Sequence, residues 1–135
     1  MSKVAIAGNV SGTGTVILAA PNTDSDYTIT LPGGISTLAD GATITPDFGS
    51  NSTFTVTLGG SRTMANPTNM VAGQSGSIFI IQDGTGGRTL AWGSYWDFIG
   101  GSAPSLSTAP GAVDRVDFIV RSAGSIHTVF TANYS

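Results

Sequence analysis

The chain has 135 residues and a net charge of −3, from five Lys or Arg and eight Asp or Glu, and it contains 19 Gly and no Cys. One domain is expected at this length. So few and such scattered basic residues argue against a nucleic-acid surface, and the absence of Cys excludes disulfides and thiolate metal sites.

The first part of the chain shows the pattern of strands rather than helices. Residues 15–19 (TVILA) form the first predicted strand, because β-branched and apolar residues run together there. Residues 27–31 (YTITL) alternate between apolar residues and Thr, which predicts a second strand with one buried face. The stretch from 33 to 52 holds Pro and many small residues, and we interpret it as a connector.

Regular alternation returns in the middle of the chain. Residues 53–58 (TFTVTL) place Phe, Val and Leu on one face, predicted to point inward, and three Thr on the other. The two glycines that follow predict a hairpin turn into a short strand at 61–65.

The second half continues the pattern of strands and turns. Residues 77–82 (SIFIIQ) are apolar on both faces, which predicts a central strand covered on both sides. A Gly-rich turn leads into a strand at 88–92. Residues 113–121 and 125–132 flank a Ser-Ala-Gly turn, so we expect them to form a hairpin.

Strands at this spacing predict an all-β fold, either an antiparallel β-sandwich or a jelly-roll-like domain, with an N-terminal β arm. No fixed repeat period emerges, which argues against a solenoid. Bulky residues are sparser in the first part of the chain. We therefore expect residues 1–52 to form an arm and connector, swapped between subunits or in contact with a shell, and residues 53–135 to form the sandwich body.

No catalytic site is expected. His127 is the only histidine, so a multi-histidine metal site is impossible, and no Ser lies in the sequence context of a nucleophile. None of the eight aspartates has a context that suggests a raised pKa for general acid chemistry. We expect no enzyme activity, no bound metal and no cofactor.

Four aromatic residues fall close together beside several glycines, and they are Trp92, Tyr95, Trp96 and Phe98. If exposed, they are suited to stack on sugar rings or to anchor a partner chain. If buried, they close one end of the sandwich. Burial in the core or in a subunit interface is the favoured interpretation, because the domain has few other large residues to fill it.

Three charged residues, Asp114, Arg115 and Asp117, alternate with apolar residues in the strand predicted at 113–121. This pattern predicts that they line a solvated face or bridge two subunits. An Arg–Asp pair between subunits is a plausible contact, although an exposed pair contributes only about 0–1 kcal/mol.

The sequence predicts neither export nor membrane insertion. The opening residues, MSKVAIAGNV, hold too short an apolar run for a signal peptide. No apolar stretch approaches the roughly 20 residues that a membrane span requires. We therefore expect the chain to be made in a cytoplasm and to have no membrane partner.

Several segments resemble proteins of tailed bacteriophages. The opening Gly-Thr-Gly-Thr at 12–15, with VILAAP and YTITLP after it, resembles a segment of tail-fibre-like and other virion proteins. The second half resembles a β-rich module of phage fibre and particle-surface proteins. Its matching segments are LGGSRTMAN at 58–66, GQSGSIFIIQDGTGGRTLAW at 73–92 and GGSAPSLSTAPGAVDRVD at 100–117.

This resemblance implies a virion structural protein that forms homo-oligomers, commonly trimers, and it implies no catalytic residue. For so short a chain we expect a capsid decoration, or cement, protein that stabilises the head from the capsid surface. Its partners are then copies of itself and the major capsid protein or other virion proteins. The alternative is a short tail fibre or tail-surface adhesin that binds host glycan.

Overall fold

The computed structural model describes residues 33–134, which fold into nine strands and one 3₁₀ turn at Ile99–Gly101. The all-β prediction is confirmed, and no helix of the described residues is long and apolar enough to cross a membrane. The strands predicted at 15–19 and 27–31 lie outside the described residues. The observed strands are β1 Ser36–Thr37, β2 Thr43–Ile44, β3 Thr53–Leu58, β4 Arg62–Met64, β5 Ser75–Gln82, β6 Leu90–Trp92, β7 Trp96–Phe98, β8 Val113–Ser122 and β9 Ser125–Thr131.

The strands form two sheets. The large sheet has the order β1-β3-β5-β8-β9-β7, and the small sheet has the order β2-β4-β6. From β1 to β6 the chain alternates between the sheets, so that each odd strand joins the large sheet and each even strand joins the small one. Neighbours within each set run parallel. Residues 36–92 therefore wind through three successive coils, each with one strand in each sheet.

The predicted antiparallel arrangement is wrong for most strand pairs of the described residues. Among residues 33–134, only β5–β8 and β8–β9 pair antiparallel, whereas β7–β9 and all pairs within the coils are parallel. The argument against a solenoid, which was the lack of a fixed repeat period, fails for the coils of residues 36–92. Ser36 pairs with Phe54 and Thr53 pairs with Ser77, so successive coils differ in length. Turns of unequal length hide the repeat from a search for a fixed period.

One predicted hairpin is confirmed and the other is wrong. The segments at 113–121 and 125–132 form the antiparallel pair β8–β9, with a register shift next to the turn. At Gly59 and Gly60, however, the chain turns a corner from β3 in the large sheet to β4 in the small sheet. The Gly59 N–H donates to Asp40 of the preceding coil, at 3.3 Å. This turn therefore contacts the preceding coil and leads into the other sheet, and it does not fold β4 back onto β3.

The core lies between the two sheets. The predicted inward face of β3 is confirmed, because Phe54, Val56 and Leu58 are fully buried. Ile44 and Met64 reach the same core from the small sheet. Burial of each such side chain contributes roughly 1.5–3 kcal/mol of hydrophobic stabilisation. The strand at 77–82 is central, as predicted, since β5 lies between β3 and β8.

The predicted division between residues 52 and 53 passes through this core. Ile44 and Phe48 are buried in the same cluster as Phe54, and the ring of Phe48 stacks on that of Phe118 with 4.3 Å between centroids. The connector therefore packs with the body because its few large residues supply part of the core. Of the arm and connector predicted for residues 1–52, residues 1–32 lie outside the described residues, and the role of an arm stays a prediction.

Ion pairs stack along one corner of the coils. Arg62 in the second coil binds Asp40 in the first coil, with 2.6 Å between nitrogen and oxygen. Arg88 binds Asp83, at 2.8 Å, in the turn after β5. Asp83 also accepts hydrogen bonds from backbone N–H groups of its own turn, at 2.9 and 3.0 Å. These carboxylates hold the turns that join the two sheets.

Acid is expected to destabilise the fold through these carboxylates. The Arg88 guanidinium, with the N–H groups of Gly86 and Thr85, lowers the pKa of Asp83 to about 2 from 3.8. Because the folded pKa lies below the unfolded one, this stabilisation is complete above about pH 4 and is lost as pH falls towards about 2. Urea midpoints measured from about pH 6 to about pH 2 should fall steeply across that window. Arg88→Gln should flatten the fall, and an unchanged acid profile in that variant would contradict the prediction.

Candidate functional site

A sharp crossing between the sheets brings the aromatic residues of β6 and β7 together. β6 lies in the small sheet and β7 lies at the edge of the large sheet, so residues 93–95 carry the chain from one to the other. The Gly93 N–H donates to the carbonyl of Met64, at 2.8 Å. A Cβ on Gly93 would lie only 2.8 Å from the backbone nitrogen of Asn66, so a side chain does not fit at this point.

Trp96 belongs to the core. It is 6% exposed, and its indole N–H donates to the carbonyl of Ala65, at 3.0 Å. Its ring packs edge-on against Phe48 and Phe118, with centroids 6.2 and 6.4 Å away. Trp96 therefore anchors β7 over the coils.

Trp92 and Phe98 are half-buried beside Trp96. The Trp92 ring packs edge-on against both neighbours, with centroids 5.2 Å from Trp96 and 5.0 Å from Phe98. The indole N–H of Trp92 is shielded from solvent but has no hydrogen-bond partner among the described residues. A buried donor of this kind costs roughly 1–3 kcal/mol when it stays unpaired.

Tyr95 lies apart from the other three aromatic residues. It is exposed, and its ring rests against Gly124 at the turn of the β8–β9 hairpin. Its backbone N–H donates to the side chain of Asn66, at 3.0 Å. The structure thus brings together Trp92, Trp96 and Phe98 and leaves Tyr95 outside.

The three grouped aromatic residues line a cavity of about 260 Å³, which we call the aromatic cavity. Its wall also contains Gly93, Asp97, Gly101 and Ala103. The Asp97 carboxylate accepts a hydrogen bond from the hydroxyl of Ser125, at 2.6 Å. Aromatic rings therefore form much of the wall of a space that is large enough for a small ring. Among residues 33–134, no group of three or more His, Asp or Glu is placed to hold a metal ion.

Comparison with known families gives the decisive observation. Residues 44–125 match the model of the family described as "Putative phage tail fibre C-terminal domain". The matched region runs from the end of β2 to the start of β9 and contains the aromatic cavity. The chain belongs to this family. It is therefore a structural protein of a tailed-phage virion and a partner of other virion components. Searches of curated proteins and of solved structures found no match.

In this virion protein the three charged residues singled out from the sequence separate onto two faces of β8. Asp114 points inward and is 1% exposed, and its carboxylate accepts from the N–H groups of Ser107 and Asn133, at 2.8 and 2.9 Å. Arg115 and Asp117 point outward and pair with each other, at 2.9 Å. Asp114 thus fastens two segments of irregular chain to the hairpin. A pairing of these residues between subunits stays a prediction.

A second cavity, of about 560 Å³, lies on the outer face of the large sheet, and we call it the outer depression. Its wall includes Asp97, Asp117 and His127. Three of its apolar residues are well exposed, and they are Ile99 (82%), Ile119 (50%) and Val129 (51%). Sequence reasoning missed this surface, because Ile119 and Val129 are ordinary strand residues and Ile99 lies in the turn after β7, and only the pairing of β7, β8 and β9 sets them side by side.

Proposed function

We propose that this chain is a domain of a tail fibre or of another tail-surface protein, and not a capsid decoration protein. The family match over residues 44–125 carries this proposal, because the family is described by a tail fibre domain. The match also spans most of the coils and β8. The decoration role expected from the length of the chain has no comparable support.

The architecture suits a structural part of a tail. Three parallel coils, closed by a hairpin and stacked with ion pairs, form a rigid unit around one core. Few charges also mean little repulsion between copies packed side by side. The proposal assigns no chemical reaction and no cofactor to the chain, and it includes assembly with copies of itself, for which a homotrimer is expected.

The position on the particle is tested by labelling and by copy number. Antibody against the purified domain should decorate the tail or its fibres in electron micrographs of intact virions. Gel densitometry of the same particles should give far fewer copies than of the major capsid protein. Label spread evenly over the head, with a copy number close to that of the capsid protein, would instead establish the decoration role.

The aromatic cavity favours a second function, which is recognition of a host glycan. Sugar rings stack on aromatic faces, while hydroxyl groups pair with donors and carboxylates. Trp92, Trp96 and Phe98 supply the aromatic faces of this cavity.

Trp92→Phe should weaken glycan binding while keeping an aromatic ring in the cavity. The smaller ring removes part of the stacking surface, which is expected to cost about 0.5–1.5 kcal/mol, or roughly a twofold to tenfold rise in Kd. The measurement is binding of the purified domain to an array of bacterial surface glycans, followed by titration of the best ligand.

Tyr95→Phe is the control, because it changes an aromatic residue that lies outside the cavity. Its Kd should equal that of the wild type. Equal losses in the two variants, or a wild-type domain that retains no glycan on the array, would refute glycan binding at this cavity.

A further inference from the structure

The outward side chains of β8 are complementary to those of a second copy of β8 that runs in the opposite direction. In chain order they are Val113, Arg115, Asp117 and Ile119, which read apolar, positive, negative and apolar. When this strand is laid antiparallel on a copy of itself, each positive position meets a negative one. The apolar residue at one end of the strand then meets the apolar residue at the other end of the copy.

The two charges are held in place at the surface. The Arg115 and Asp117 side chains remain 33% and 36% exposed although they pair with each other. Ser77 donates its hydroxyl to Asp117, at 2.6 Å, and the Arg115 guanidinium lies 5.0 Å from the centre of the Tyr134 ring. These contacts restrict both side chains, so little conformational entropy remains to be lost when a partner binds.

We propose that the outer face of the large sheet binds a second copy of the chain across a twofold axis. The axis lies midway between the large sheets of the two copies and runs perpendicular to their strands. It passes between the levels of Arg115 and Asp117. β8 then lies antiparallel on β8 of the partner subunit. Arg115 faces Asp117 of the partner subunit, and Val113 faces Ile119 of the partner subunit.

Charge excludes the other simple twofold arrangement. A twofold axis parallel to the strands would set Arg115 opposite Arg115 of the partner subunit and Asp117 opposite its own copy. Like charges placed directly opposite destabilise an interface. The antiparallel arrangement places opposite charges together, and it is isologous, so that it closes as a pair.

The remaining groups on this face allow the contact. Asp97 and His127 lie level with Ile119 on the neighbouring strands β7 and β9, and Arg121 follows at the hairpin end. Together with Arg115 and Asp117 they give this face two Arg and two Asp among the described residues, and these charges sum to zero when His127 is neutral. The outer depression, with its exposed Ile and Val side chains, gives the copy an apolar surface to cover.

The size of the face predicts a weak contact. Four strands about 4.8 Å apart, with about seven residues each at about 3.3 Å per residue, cover roughly 400–500 Å². Stable complexes bury about 800 Å² on each partner. Association of the purified domain through this face is therefore expected only at high concentration. Neighbouring copies on one virion would strengthen it through their high effective concentration.

Exchange of charges tests the contact. Arg115→Asp and Asp117→Arg should each abolish the additional association that the wild type shows at high protein concentration in sedimentation velocity, because each places like charges opposite each other. An equimolar mixture of the two variants should associate one to one, since each chain then complements the other. The double variant Arg115→Asp/Asp117→Arg should regain self-association. Circular dichroism and thermal melting verify that every variant is folded.

Crosslinking tests the register independently, since the chain has no native cysteine. Val113→Cys and Ile119→Cys should each give little dimer with a short bismaleimide, whereas their mixture should give a crosslinked pair. The proposal is overturned if the folded single charge variants associate like the wild type. It is equally overturned if the mixtures show no gain over the single variants. Neither result would affect the proposed position on the tail.

Discussion

Gly76→Ala is expected to destabilise the domain severely. Gly76 lies in β5 beside the residue that precedes β3, and a Cβ there would overlap the carbonyl oxygen of Ser52 and lie 2.8 Å from Cζ of Phe118. The Ser52 carbonyl cannot retreat, because it accepts the N–H of Ser77, at 3.0 Å. Overpacking of a core usually costs about 1–3 kcal/mol. A clash with backbone should reach or exceed the upper end of that range.

Gly84→Ala is the matched control for this prediction. Gly84 lies in the turn after β5, and no heavy atom lies within 4 Å of the position of its added Cβ. Urea denaturation of both variants should show a large loss in the unfolding free energy for Gly76→Ala and a change within about 0.5 kcal/mol for Gly84→Ala. Similar stabilities for the two variants would show that the second and third coils are less tightly stacked than the structure indicates.

Asp114→Ala is expected to be the most damaging change among the charged residues. Removal of the buried carboxylate leaves the N–H groups of Ser107 and Asn133 without their acceptor. An unsatisfied buried group costs roughly 1–3 kcal/mol, and because Asn133 is exposed to water, a loss of about 1–3 kcal/mol is expected. The segments around residues 107 and 133 should also exchange their amide hydrogens faster.

Two comparisons make this result specific. Asp114→Asn keeps one carbonyl oxygen in place and should retain part of the lost stability. Asp117→Asn changes an exposed carboxylate on the same strand, and it should cost about 1 kcal/mol or less. If Asp114→Ala is as mild as Asp117→Asn, then Asp114 does not fasten the two segments.

Local patterns predicted the strands correctly where a strand has one buried and one exposed face. The inward residues of β3 were predicted because Phe54, Val56 and Leu58 alternate with Thr. Successive side chains of a strand point to opposite faces of the sheet, so this alternation assigns each residue to a face. The β8–β9 hairpin was predicted because its turn is short and its partners are adjacent in the chain. Such features depend only on residues that are close in sequence.

Strand direction and sheet membership could not be predicted in this way. A Gly-Gly turn after β3 is compatible with a hairpin and with a corner between two sheets. The choice rests on Arg62, which reaches back to Asp40 in the preceding coil, and on the core that β3 and β4 enclose together. Both contacts join residues that are distant in sequence.

The candidate site was predicted in part. The grouping of Trp92, Trp96 and Phe98 follows from their nearness in sequence, but their separation from Tyr95 follows from the crossing at Gly93. Asp97 lacked any signal, because an isolated Asp in a strand has no distinctive context. Its place in the wall of the aromatic cavity depends on the parallel pairing of β7 with β9.

The sequence by itself determined the all-β class, the inward faces of the main strands and the resemblance to tailed-phage virion proteins. Alternation, turn residues and recognisable segments are properties of neighbouring residues, and they need no tertiary contact to be visible. Only the tertiary structure decided that parallel coils build most of the fold, that Asp114 is buried, and that Arg115 and Asp117 share a face with Ile119. Those outcomes depend on which strands pair although they are distant in sequence, and the packing of the whole core decides that pairing.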